Sequence, residues 1–333
     1  MKIKQMCMLV LLWLGVIPAM QAQTFDKLWK EVEQAEKKSL PQTVIKLTGE
    51  IYQKGEMEKN SPQMLKAYMW RMKYRDMLTP DSLYTGLQEL KQWAKQADKP
   101  MDRAILHSLI AGMYADYAAN NQWQLRQRTE IAGEAPSADM REWTANMFVE
   151  KVRTNVKEAM ADSVLLLNTS SRTYIPFVEL GETSEYYHHD MYHLLASRSI
   201  EALQRIQGLD RTTPIEAYSE ETSSEKESLV KQDIERIYDQ MLTSYKAKGD
   251  KEGCLLTSLN YLNWKHGTSK SFREPFRVKK VGTYMTFDPY ETGLDALKTE
   301  YKSLDLCAEV YLAQANNAIG KEQETVALQL CDE

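Results

Sequence analysis

Leu167–Leu195 reads LNTSSRTYIPFVELGETSEYYHHDMYHLL, and its reading decides how the chain is organised. On either side, apolar residues recur at helical spacing between short polar turns. Here that rhythm breaks. Asn168–Ser171 is a polar run, Tyr174–Val178 reads as extended, and Gly181 closes the interruption. A helix is then expected from Tyr186, its first turns carrying His188, His189 and His193, three of the five histidines. The stretch is both the expected junction of two helical sets and the first place to look for chemistry.

Working outward towards the N-terminus, Phe25, Leu28, Trp29, Val32 and Ala35 mark one amphipathic helix. A second opens at Pro41, a third after Asn60-Ser61-Pro62, and others at Thr79-Pro80 and Asp98-Lys99-Pro100, where a cap or an N1 proline starts a new apolar stripe. Gly133–Ser137 reads as a linker, followed by one long helix from Trp143 through Val164. Beyond the central stretch, a break over 211–228 precedes helices marked by Ile234, Ile237, Tyr238 and Met241, then by Leu255, Leu259 and Leu262. Alternation around Gly282 predicts a small hairpin or loop near 269–288. The run from Lys321 stops at Glu333 without a terminating signal, so a chain cut short is expected. Short turns between helices imply antiparallel neighbours. The fold class expected is all-α: an irregular α-solenoid of helical hairpins, tetratricopeptide-like, with an extended segment near 172–180. The expected organisation is a leader over 1–22, a helical-hairpin array over 23–132 and a second helical set over 137–333.

The leader is read from Lys2 and Lys4, the apolar Met6–Ile17, and Pro18 before Ala19-Met20-Gln21-Ala22, which is the pattern of a secretory signal peptide. The apolar run is too short to span a bilayer. The expectation is an exported chain, periplasmic or envelope-associated, without a membrane span after cleavage. With 42 basic and 47 acidic residues the net charge is −5, and there is no dense Lys/Arg stripe to bind nucleic acid or an anionic membrane. Removal of Cys7 with the leader leaves Cys254, Cys307 and Cys331, an odd set read as free thiols, with a Cys254–Cys307 bridge as the alternative.

His189 and His193 stand four apart, one turn beyond Glu185. On a helix these three could share a face and hold zinc, but the glutamate of an HExxH site is missing because Asp190 follows His189. The alternative is that the histidines and Tyr186, Tyr187 and Tyr192 pack the helix, each polar tip hydrogen-bonded. No nucleophile elbow, phosphate loop or dinucleotide glycine pattern is found. The expectation is therefore a chain without catalytic, cofactor or metal residues, Glu185, His189 and His193 being the candidates held against it.

The stretch TFDKLWKEVEQAEKKSLPQTVIKLTGEIYQKG (Thr24–Gly55), Met64-Leu65-Lys66-Ala67-Tyr68 and Tyr186–Leu195 together resemble the N-terminal helical region of the large alpha-2-macroglobulin-like proteins of Bacteroides-type bacteria. The resemblance implies β-sandwich domains downstream and a role in trapping or inhibiting proteases. Many such proteins carry a thioester in a Cys-x-Glu-Gln motif. Cys254 and Cys307 do not fit that motif. Cys331-Asp332-Glu333 matches three positions, but in a helical setting unlike that of a thioester domain. The function expected is a non-catalytic scaffold, its partners being those downstream domains or an envelope protein, with proteases engaged through the full-length protein. One alternative is a freestanding periplasmic helical-repeat module that binds a protein. The other is a metal-dependent enzyme using the His188–His193 cluster.

Overall fold

The computed structural model describes residues 24–79, 82–128, 137–210, 228–266, 276–280 and 283–332. The leader, the linker over 133–136 and the polar break over 211–227 lie outside the described residues. The fold is all-α, built of helical hairpins, with one two-stranded sheet. Its contacts divide the chain into two compact units. One ends at Gly86 and includes Ile175–Phe177; the other holds Leu87–Tyr174 and the chain from Val178 onward. The division thus falls at 86/87, not in the 133–137 segment.

In the first unit, α1 (Phe25–Lys37), α2 (Pro41–Met57) and α3 (Ser61–Leu78) pack in sequence. The starts are those expected: Thr24 caps α1, Pro41 opens α2, and Asn60 caps α3 by accepting from the Gln63 amide. The predicted stripe is the core, with Leu28, Val32, Ala35, Val44, Ile51 and Ala67 buried together. Trp29 and Trp70 meet edge to face at 5.9 Å. The Glu36 carboxylate accepts from both Trp70 Nε1 (3.1 Å) and the Tyr74 hydroxyl (2.7 Å). These contacts give aromatic bulk its hydrogen-bonded tips.

Helix α4 (Ser82–Gln96) carries the division within it. The second unit continues with α5 (Pro100–Asn120), α6 (Gln122–Arg126), α7 (Ala145–Ala159), α8 (Ser163–Asn168) and α9 (Met191–Ile206). It ends with α10 (Leu229–Lys248), α11 (Lys251–His266), α12 (Pro289–Tyr301), α13 (Ala308–Gly320) and α14 (Glu324–Asp332). Helix α5 packs against both α7 and α9. That is why its buried positions, from Met101 and Ile105 through Tyr114 and Ala118, are not confined to one stripe. From α9 onward each helix packs on the next, α9 on α10 and so on to α14. The hairpin expected near 269–288 is present: β1 (Phe276–Lys280) pairs antiparallel with β2 (Thr283–Phe287).

Three expectations differ from the structure. The segment near 172–180 is not extended. Ser171–Tyr174 is a 3₁₀ turn, and the Val178 amide closes a further turn on the Tyr174 carbonyl at 2.9 Å. The Ser170 side chain accepts from the Arg172 amide and its carbonyl from the Thr173 amide, local bonds that compete with a strand. The long helix from Trp143 ends at Ala159, and α8 restarts with Asp162 capping the Leu165 amide. Finally, the helix expected from Tyr186 starts at Met191.

The hairpin of α10 and α11 fixes a tight spot. Gly249 supplies the left-handed residue (φ 67°) after α10, and Asp250 accepts from the Gly253 amide at 2.7 Å. A Cβ on Gly253 would lie 2.4 Å from two ring carbons of Tyr245, whereas one on Gly112 in α5 would meet nothing within 4 Å. Gly253→Ala should therefore destabilise the second unit by about 1–3 kcal/mol as an overpacked core site. Gly112→Ala should stabilise it by about 0.5–1 kcal/mol. Urea unfolding of the two variants checks both signs.

Candidate functional site

The central stretch is tied down by Asp190. Its backbone is extended (φ −118°, ψ 165°), so it stands outside α9 as the N-cap. Oδ1 accepts from the His193 amide at 2.9 Å and from His193 Nδ1 at 2.8 Å, while Oδ2 accepts from Lys248 Nζ at 2.6 Å. Burial disfavours the charge, but the bonds from His193 and Lys248 outweigh it and hold the carboxyl below its usual range. On the preceding side, the Ser171 amide donates to the His189 carbonyl (3.0 Å) and the Met191 amide to the Thr169 carbonyl (2.9 Å), a short antiparallel bridge. The Ser171 hydroxyl adds a bond to the His188 carbonyl at 2.7 Å. The turn is anchored from its other end, where the Tyr174 hydroxyl donates to Asp102 of α5 at 2.6 Å. Burial, then that carboxylate, raises the Tyr174 pKa far above a free phenol's.

Around this anchor the rings form a column. His193 is fully buried and stacks on Tyr245 of α10 at 3.7 Å and 22°, with Tyr192 edge-on. Tyr187 lies parallel to Tyr245 at 5.9 Å, and its hydroxyl meets Thr257 of α11 at 3.2 Å. His193 Nε2 is buried without a hydrogen-bond partner. His188 sits at φ 58°, its ring packed on that of Tyr187 at 3.8 Å and its Nε2 facing Ser197 Oγ at 2.6 Å. Burial, reinforced by His193, pushes the His188 pKa down to about 4, so the ring is neutral at pH 7.

The three metal candidates are not brought together. Glu185 ends a 3₁₀ turn and is exposed, His189 is exposed, and His193 is fully buried. Helical spacing fails here for a local reason. Asp190 is the cap, so His189 precedes the helix and shares no face with His193. Among the described residues no three His, Cys, Asp or Glu side chains are grouped to hold a metal. Cys254 and Cys307 are buried free thiols, pushed up in pKa by that burial, and Cys331 is an exposed thiol on α14.

A second feature was not anticipated from the sequence. On the outer side of His188 opens a cavity of about 500 Å³, walled by α9, α10, α11 and α12. Ser197, Glu201 and Gln204 of α9 face Tyr238, then Asn260, Asn263 and Trp264 of α11 and Tyr290 of α12. The signal available was the 3–4 spacing of polar residues on two helices whose other faces are core. It reads equally as a solvated face until the helices are placed.

Comparison of the chain with protein-family models, with curated proteins and with solved structures finds no match in any of the three.

The histidine environment sets a pH dependence. In the unfolded chain His188 charges near 6.5, but in the fold only near 4. The unfolded state therefore binds the extra proton within that window, and stability falls as pH drops through it, by roughly 3 kcal/mol in all. Asp190, with its pKa depressed, adds a further loss below its ordinary 3.8. Denaturant unfolding from pH 7 to pH 4 should show this decline. His188→Asn, which tolerates the positive φ, should flatten it.

Proposed function

We propose that this chain is a non-catalytic helical scaffold and interaction region of an exported protein of the alpha-2-macroglobulin type. The observation that carries the reading is the use made of the central histidines. His193 serves the cap and the ring column, His188 is held by Ser197, and His189 points to no common centre with either. Residues that would be expected to do chemistry instead hold a loop between α5, α9, α10 and α11. The resemblance of Thr24–Gly55, Met64–Tyr68 and Tyr186–Leu195 to that family supplies the larger context. In that context the helical units position downstream domains or contact an envelope partner, and proteases are engaged by the whole protein. The described helices include none long and apolar enough to cross a membrane.

The reading of a freestanding exported binding module is favoured by one observation, the aromatic and amide-lined cavity beside α9. The two readings separate on the native polypeptide. Antibody raised against this chain should recover from the envelope fraction of producing cells a polypeptide far larger than 38.5 kDa, with tryptic peptides from β-sandwich domains. Recovery only of a species at or below that mass would leave the binding module as the better reading.

A further inference from the structure

We propose that the cavity between α9, α10, α11 and α12 binds a neutral saccharide of one or two pyranose rings. This goes beyond the scaffold reading and does not depend on it. The volume, about 500 Å³, lies within the range of small-molecule sites. The chemistry of its walls selects the ligand class. Among the described residues no Lys or Arg side chain lines it, so none there compensates an anion. Among the described residues its one carboxylate is Glu201, which is exposed and shared with Arg198 at 3.2 Å, a weak countercharge for a cation. A purely apolar ligand would strip water from amides and hydroxyls without replacing the bonds.

What remains is a ligand with apolar faces and a rim of hydroxyls. Tyr238, Trp264 and Tyr290 line it with aromatic carbon, against which the C–H groups of a pyranose can pack. The polar groups are oriented by bonds that leave part of their capacity over. Asn263 and Tyr290 both line the cavity, and Asn263 Oδ1 accepts from the Tyr290 hydroxyl at 2.7 Å, a bond that leaves the amide's two hydrogens unused by that pair. Gln204 lines the same wall as Tyr238 and brings an amide with both donor and acceptor groups. Ser197 is held by the neutral His188 ring at 2.6 Å, so its oxygen keeps lone pairs for a ligand hydroxyl. Asn260 stands exposed at the mouth. Donors and acceptors in this mixture suit hydroxyl groups, which are both at once.

The test is calorimetry and saturation-transfer NMR on the purified chain with glucose, maltose, cellobiose and N,N′-diacetylchitobiose, against tetramethylammonium and inorganic phosphate. At least one saccharide should bind, and Asn263→Ala and Gln204→Ala should each weaken it by about tenfold, a single lost hydrogen-bonding anchor, in variants whose circular dichroism matches that of the parent chain. Asn260→Ala, at an exposed position, should also weaken binding and keeps the test open if either other variant unfolds. Absence of binding by the whole panel, preference for tetramethylammonium or phosphate, or saccharide binding indifferent to the substitutions would each overturn the proposal. The family-type scaffold reading would stand or fall separately, on the mass of the native polypeptide.

Discussion

The Asp190 carboxylate makes three bonds at once, and the second unit is arranged around that fact. It caps α9 through the His193 amide, fixes the His193 ring, and receives Lys248 from the end of α10. A buried carboxylate with its partners removed is costly, while one whose oxygens are all engaged is tolerated. Those partners come from two helices, so the charge is satisfied only when α9 and α10 are in register. The stacked rings of His193 and Tyr245 then set the distance between the two helices, and Gly253 sets how closely α11 follows.

This accounts for what could and could not be read from residue order. Hairpins such as α1–α2 and α2–α3 were legible because cap, proline and stripe agree at each start, and one apolar face has one partner. The central stretch was not. Tyr174–Val178 contains the β-formers of an extended segment, but Ser170 bonds locally to the Arg172 and Thr173 amides, Ser171 bonds across to the His188 and His189 carbonyls, and the segment folds into turns. His189 and His193 have metal-like spacing only if a helix includes both. Asp190 instead stands outside the helix as its cap, and the Lys248 that bonds its other oxygen lies far along the chain. The cavity beside His188 was invisible for the same reason, since it exists only where four separate helices bring their polar positions together.

The picture that emerges separates two roles on the same loop. Its inner side, with His193 stacked on Tyr245, is a packing joint. Its outer side, where His188 holds Ser197, forms one end of a polar and aromatic cavity. A scaffold in a larger exported protein and a small-molecule site on that scaffold are compatible, because the joint fixes the helices whose outer faces line the cavity.

The central claim is that Asp190 couples the loop, α9 and α10 rather than capping one helix. Hydrogen–deuterium exchange of Asp190→Asn against the parent chain tests it directly, since the substitution keeps the side chain's shape and removes its charge. Exchange should quicken across residues 169–193 and in the last turn of α10 with the start of α11, leaving α13 and α14 unchanged. Faster exchange confined to the first turn of α9 would contradict the account and reduce Asp190 to an ordinary N-cap.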